Sequence, residues 1–278
     1  MSSIAIAIAT YNGAGTLEGC LDAIAVQTAA PDEVIVVDGG STDGTTEILA
    51  RRADVVSLWQ SEPDRGIYDA WNKAVSRVSA DWVWFFGCDD HLAGPEAIAT
   101  LKRELGALDP SIRLAYVRVG IAMTDGRIVE TMGEPWTSLK PKLKYNMLIP
   151  PNGFLARREL FDEIGPFDLS FRIAGDYDWF LRAMTRSEAA YIDHTLLLSG
   201  ADGISAAMPT RLKALAEIAR VYEKHGLKRP AFWHRQYAKT RLRLALGRLG
   251  GSRLEQGLGD LYRLATGRRA RHIKANRR

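Results

Sequence analysis

Asp81-Trp82-Val83-Trp84-Phe85-Phe86-Gly87-Cys88-Asp89-Asp90 decides how the chain folds. An apolar, aromatic run of this length reads as a buried strand that ends on two adjacent carboxylates. A strand spends its hydrophobic residues inside a sheet and delivers the next few residues to the carboxyl edge, where open α/β folds bind ligands. Two neighbouring carboxylates repel unless a cation or a proton lies between them, and oxygen ligands suit a hard ion such as Mg²⁺ or Mn²⁺. The same pair also suits a strand-end turn, since Gly94 and Pro95 come soon after and open a helix.

Upstream, the chain repeats one unit. Ile4 to Ala9 is a β-branched and alanine run, succeeded by the turn Thr10-Tyr11-Asn12-Gly13-Ala14-Gly15; Thr16 then caps a helix whose apolar face is Leu17, Leu21, Ile24 and Ala25. Glu33 to Val37 is a second apolar strand, ending on Asp38-Gly39-Gly40-Ser41-Thr42-Asp43-Gly44 before a helix from Glu47 to Arg52. Val55 to Gln60 reads as a third strand, and the loop Ser61-Glu62-Pro63-Asp64-Arg65-Gly66 leads into a helix from Ile67 to Val78. On it Ile67, Ala70, Trp71, Ala74 and Val78 form the expected buried stripe, with Tyr68, Asp69, Asn72 and Lys73 off it. Strand, Gly/Asp turn, helix, repeated, implies βαβ crossovers and a mostly parallel sheet flanked by helices.

Downstream, a helix is expected from Pro95 to Leu105, then a hairpin of Leu114 to Met123 and Arg127 to Met132 about Thr124-Asp125-Gly126. Met147 to Pro151 leads into Asn152-Gly153 and a helix from Arg157 to Ile164, stopped by Gly165-Pro166. Asp176-Tyr177-Asp178 stands at the head of a helix expected from Trp179 to Thr185, where carboxylates suit a helix N-terminus. Ala189 to Leu198 is the last strand. From Thr210 on, apolar residues at helical spacing are embedded in Arg and Lys.

The 278 residues suffice for one large α/β domain or two modest ones, and the net charge of +4 conceals an asymmetry. Residues 210–278 hold 19 Lys and Arg against 4 Asp and Glu, a balance of +15; residues 1–209 hold 18 against 29, or −11. An acidic body fits a metal-dependent site, and a basic extension fits an anionic surface. The division is therefore expected at 209/210. Two cysteines far apart, Cys20 and Cys88, argue against a disulfide framework and for a reducing compartment. Met1 to Thr10 lacks the basic lead of a signal peptide and reads as a first strand. No apolar run reaches the ~20 residues that span a bilayer. A cytoplasmic protein is expected, peripheral on the inner face of the plasma membrane where the basic helices meet anionic lipid. The five aromatics after residue 210, Tyr222, Phe232, Trp233, Tyr237 and Tyr262, are not spaced as a base-stacking platform, so nucleic acid is not an expected partner.

Five stretches in order, Ile8-Ala-Thr-Tyr-Asn12, Val36-Val-Asp-Gly-Gly-Ser-Thr-Asp-Gly-Thr45, Ser61-Glu-Pro-Asp-Arg-Gly-Ile-Tyr-Asp-Ala-Trp-Asn-Lys-Ala74, Phe86-Gly-Cys-Asp-Asp90 and Gly175-Asp-Tyr-Asp-Trp-Phe-Leu-Arg182, resemble the family-2 inverting glycosyltransferases of the GT-A fold. The resemblance covers residues 4 to about 205. Pro63 to Ala70 looks most like a branch that builds bacterial polysaccharide, of the colanic-acid type, or glycolipid. The resemblance implies a UDP-, GDP- or dTDP-sugar donor, and a saccharide or lipid-linked acceptor. Thr10, Tyr11 and Asn12 would line the nucleoside pocket with Asp38 and Gly40; Asp64 and Arg65 would approach the nucleotide, Arg65 meeting phosphate. Asp90, with Asp89 beside it, matches the metal motif, and Asp176 the catalytic base. Asp178 would hold the helix head or an acceptor hydroxyl, and Arg182 would pair with a carboxylate or phosphate. Where this branch often carries a His-Gln pair, Pro151-Asn152-Gly153 stands here, so Asn152 marks an acceptor-side loop fitted to a different acceptor or metal geometry.

His91 and His194 lack a second ligand at helical or hairpin spacing and read as surface or packing residues. Trp136 and Trp179 suit stacking on a sugar, Trp179 being better placed in the core. Two rivals remain. A sugar nucleotidyltransferase also uses Asp-bound metal, but its first loop needs a basic residue and Thr10 to Gly15 has none. A catalytically inactive membrane-surface protein would keep the fold and rely on the basic extension.

Overall fold

The computed structural model describes residues 2–123, 127–200 and 208–245. The chain divides into two compact units, Met1–Gly203 and Ile204–Arg278. The turn Thr124-Asp125-Gly126 and the last part of the basic extension, 246–278, lie outside the described residues.

The first unit begins with β1 (Ile4–Thr10), α1 (Leu17–Ala25), β2 (Glu33–Asp38), α2 (Thr45–Arg51), β3 (Leu58–Ser61), α3 (Ile67–Val75) and β4 (Trp82–Gly87). β1 pairs in parallel with both β2 and β4, and β2 with β3, as βαβ units dictate. Next come β5 (His91–Leu92), α4 (Ala97–Gly106), β6 (Leu114–Ala122), β7 (Ile128–Met132), α5 (Trp136–Leu143), β8 (Phe154–Arg157), α6 (Glu159–Ile164), α7 (Gly175–Ala183) and β9 (Ala189–Gly200). The sheet order is β3-β2-β1-β4-β8-β6-β9-β5, with β7 on β6. The hairpin strands pair antiparallel as expected.

Five local expectations are corrected. Phe154–Arg157 is a strand, antiparallel to both β4 and β6, so the helix expected from Arg157 starts at Glu159. This short strand fills the gap between the two parallel blocks, and its three apolar residues are hidden on both faces, which periodicity cannot distinguish from a helical segment. α7 starts at Gly175 rather than Trp179, placing Asp176 and Asp178 inside its first turn. β3 and α2 are displaced by a few residues. On α3 the buried stripe includes Tyr68 and Asp69, whereas Ile67 is 38 % exposed. Thr16 precedes α1 without a side-chain cap, its hydroxyl lying toward Gly13 and Cys88 instead.

The pleat of β4 sorts its aromatics. Trp82, Trp84 and Phe86 join Ile4, Ile6 and Ile8 in the layer under α1 and α4. Phe85 points to the opposite face, where it meets Trp71, Phe154, Phe161 and Phe167 at ring-centroid distances of 5.2 to 5.8 Å. Trp179 stacks on Phe161 at 4.3 Å. This aromatic layer anchors the starts of α3 and α7 against the sheet. Trp179 is fully buried, in accord with core packing.

In the second unit, α8 (Met208–Lys224) is followed by a turn at Gly226, whose φ of 64° stops the helix, and a second helix runs over 231–245. Trp233 stacks on Tyr237 and donates its indole N–H to the Leu215 carbonyl at 3.0 Å, joining the two helices as a hairpin. Among the described residues no helix is long and apolar enough to cross a membrane.

Candidate active site

The loops after β1 and β2 are laced into one floor. Asn12 adopts a φ of 49°, its backbone N–H donates to Ser41 Oγ at 2.7 Å, and its side-chain oxygen accepts from the Thr42 N–H at 3.0 Å. Gly13 N–H donates to Thr45 Oγ1, and Ala14 N–H to Asp43, each at 3.0 Å. At Gly13 a Cβ would sit 2.4 Å from Thr10 Oγ1 and 2.7 Å from Cys88 Sγ, so only glycine lets these strand ends close. Thr10 Oγ1 is buried with no hydrogen-bond partner, a polar atom aimed into the floor. Tyr11 beside it is 66 % exposed at the rim.

Asp38 is fully buried and well satisfied: it accepts from Ser61 Oγ at 2.6 Å, Ser41 N–H at 2.9 Å, Gly40 N–H at 3.2 Å and the Ser41 hydroxyl. In this state it braces the β2 and β3 ends. Asp64 accepts from Gly66 N–H at 2.8 Å and lies over Gly39, where a Cβ would approach its Oδ2 to 2.8 Å. Arg65 keeps a side chain 68 % exposed, 3.7 Å from Asp69.

Asp89 is exposed and Asp90 is 4 % exposed. Asp90 accepts from Gly87 N–H at 2.8 Å and from Asn152 Nδ2 at 2.6 Å. Burial, opposed by these bonds and reinforced by Asp89, pushes its carboxyl up to about 7. Asn152 is thereby fixed on the Asp90 carboxylate, and its carbonyl accepts from the Trp84 indole at 2.8 Å. Among the described residues no three His, Cys, Asp or Glu side chains gather into a metal cluster. His91 pairs with β9 through the short β5, and His194 is exposed, 3.8 Å from Glu104.

Asp176 and Asp178 are buried in the first turn of α7. Arg182 sits 3.2 Å from Asp178 and donates to the Pro166 carbonyl at 2.7 Å and to that of Ile164, so this pair ties α7 to the preceding loop. Asp176 Oδ1 lies 2.8 Å from the hydroxyl of Tyr68 on α3. Sequence reasoning misses Tyr68, because a helical wheel centred on Trp71 places it beside the stripe; the Gly-Ile-Tyr-Asp context is its only signal. Ser61 and Cys88 are likewise visible only as neighbours of named motif residues. Trp136 is half-buried and donates to Glu188.

Thr10, Asp38 and Asp90 thus sit at or just beyond the carboxyl ends of adjacent parallel strands, with Asp64 and Asp176 at the starts of α3 and α7. The glycosyl transferase family 2 model matches residues 5–165. A PGL/p-HBAD biosynthesis glycosyltransferase of Mycobacterium bovis is 33 % identical over 185 residues, spanning 65 % of this chain and 69 % of that protein. The mannosyltransferase PcManGT of Pyrobaculum calidifontis, solved with GDP-Man and Mn²⁺, superposes with a TM-score of 0.63 at 21 % identity, covering 96 % of this chain and 79 % of its own. S. aureus TarS 1–349, solved with UDP-GlcNAc, gives 0.61 at 19 % identity over 86 % and 71 %. The mixed sheet matches the GT-A fold of these structures, and the chain belongs to glycosyl transferase family 2 as a glycosyltransferase.

Proposed function

We propose that this enzyme transfers a sugar, with inversion, from a nucleoside-diphosphate sugar to a hydroxyl of a saccharide or lipid-linked acceptor in the synthesis of bacterial envelope polysaccharide or glycolipid. The observation that carries the reading is the convergence of Thr10, Asp38, Asp64, Asp90 and Asp176 on one edge of the sheet, with an unpartnered Thr10 hydroxyl in its floor. The loops bearing Thr10, Tyr11, Asn12 and Gly40 cradle the nucleoside, and Asp38 holds their shape. Arg65 supplies a cation for phosphate.

A divalent ion such as Mg²⁺ or Mn²⁺ fits this site. The Asp90 carboxyl is buried and costly to ionise, a cost that a neighbouring cation removes, and Asp89 stands beside it. One or two protein carboxylates, completed by phosphate and water oxygens, is a mode that suits Mg²⁺. When bound, the ion would neutralise charge growing on the departing diphosphate. Asn152 orients Asp90. Asp176 takes the proton of the acceptor hydroxyl as its oxygen bonds to the anomeric carbon, opposite the carbon–oxygen bond to diphosphate that breaks. Asp178 and Arg182 hold the α7 start that carries this base. The basic helices dock on an anionic membrane surface, bringing the enzyme near a lipid-linked acceptor.

Thermal unfolding with Mn²⁺ and UDP-glucose, UDP-GlcNAc, GDP-mannose or dTDP-rhamnose tests the reading. A ligand at a hundredfold its Kd stabilises by about 2.7 kcal/mol, a rise of roughly 5 °C for a chain this long. One nucleotide class should raise the midpoint, need metal, and lose its effect in Asp90→Ala. No shift with any donor would overturn the proposal.

A further inference from the structure

Tyr68 reaches from α3 to the Asp176 carboxylate, and it does so from inside an apolar layer. Its ring lies 5.5 Å from Phe167 and 5.9 Å from Trp71, and it is 4 % exposed. Gly175 closes it from above: a Cβ there would come within 2.8 Å of two ring carbons. The side chain therefore has one available placement. Its hydroxyl stands 2.8 Å from Asp176 Oδ1 and 2.7 Å from the Ile173 carbonyl, two acceptors facing one proton.

Burial first, and then the charge of Asp176, push the phenol well above its ordinary value, so the hydroxyl keeps its proton at any working pH. Phenylalanine would fill the same space without the cost of burying a hydroxyl. The other charged groups of this region include Asp178 with Arg182 on α7, Asp69 with Lys73 on α3, and Arg172, whose guanidinium lies against Gly66.

We propose that Tyr68 is a positioning residue of Asp176, holding the carboxylate in one orientation in both of its protonation states. The inference rests on Asp176 being the base. With Asp176 ionised, the Tyr68 O–H donates to Oδ1. As the acceptor oxygen bonds to the anomeric carbon and the diphosphate leaves with its electron pair, the acceptor proton passes to Asp176. The proton comes to rest on Oδ2, and the Tyr68 O–H goes on donating to Oδ1, now the carbonyl oxygen of the acid. Tyr68 neither gains nor loses a proton. The carboxyl group thus keeps its orientation before and after transfer, which matters because small misplacements of a catalytic group cost rate.

The test uses the full chain with two variants, Tyr68→Phe and Asp176→Asn. Carbon-13 spectra of aspartate-labelled protein identify the Asp176 carboxyl by its loss in Asp176→Asn; that resonance should move in Tyr68→Phe at fixed pH. Reciprocally, the Tyr68 ring carbon bearing the hydroxyl should move in Asp176→Asn, a measurement that stands even if Tyr68→Phe folds poorly. Neither resonance moving overturns the proposal without any substrate. Nucleoside diphosphate release from UDP-glucose, GDP-mannose and dTDP-rhamnose with Mn²⁺ gives the second reading: Tyr68→Phe should lower kcat roughly tenfold to a hundredfold with donor KM unchanged. Wild-type kcat in Tyr68→Phe beside an inactive Asp176→Asn would also overturn it. An active Asp176→Asn removes the base itself, a failure distinguished by the resonances still reporting the pair.

Discussion

Among single residues, the site depends on groups placed where their ordinary chemistry is unfavourable. Asp90 is the clearest. In the folded protein its carboxyl stands at about 7, against about 3.9 in an unfolded chain. Below pH 4 both states are protonated. As pH rises toward 7 the unfolded state releases the proton first, so stability present at low pH is progressively lost. At about 1.4 kcal/mol per pH unit, this group alone removes on the order of 4 kcal/mol across that window. Urea unfolding between pH 4 and 8 in the presence of a chelator measures it, and Asp90→Asn should flatten the decline. Gly13 is the complementary case. Gly13→Ala forces a methyl onto Thr10 and Cys88 and should cost about 1–3 kcal/mol and abolish the nucleotide-induced thermal shift, whereas Gly15→Ala, which meets nothing within 4 Å, should leave both intact.

Among the elements, α7 shows how an apolar layer sets a polar geometry. Trp179 is fully buried between Phe161 and Phe154, and its indole donates to the Gly165 carbonyl at 3.0 Å. Trp179→Ala should cost about 3–5 kcal/mol by leaving a cavity, a large share of a stability of about 5–15 kcal/mol. Chemical denaturation reports the loss, and Trp179→Phe should recover most of it. The α7 start at Gly175 escapes sequence reasoning because Asp-Tyr-Asp looks like the approach to a helix, and the deciding contact is the Tyr68 ring pressed on the Gly175 backbone. β8 escapes for a related reason: a strand of 4 residues carries no readable period, and its identity comes from the place open to it between β4 and β6. β1, β2 and β4 are legible, since a buried parallel strand is a continuous apolar run ended by Gly and Asp.

Across the whole molecule, charge separates along the chain, −11 before residue 210 and +15 after it. If the basic part docks on membrane, the full chain should sediment with vesicles containing anionic phospholipid, release as salt is raised, and ignore neutral vesicles. Equal binding to both vesicle types, or none, would remove that role. The α/β class, the family and the sheet edge that gathers the candidate site can all be read from the linear chain, because strand runs, turns and motif order are local and succeed one another along it. Only the folded protein brings Asn152 to Asp90 across 62 positions and Tyr68 to Asp176 across 108. Contacts at such separations depend on how layers pack, and packing is settled by volume and shape across the whole core.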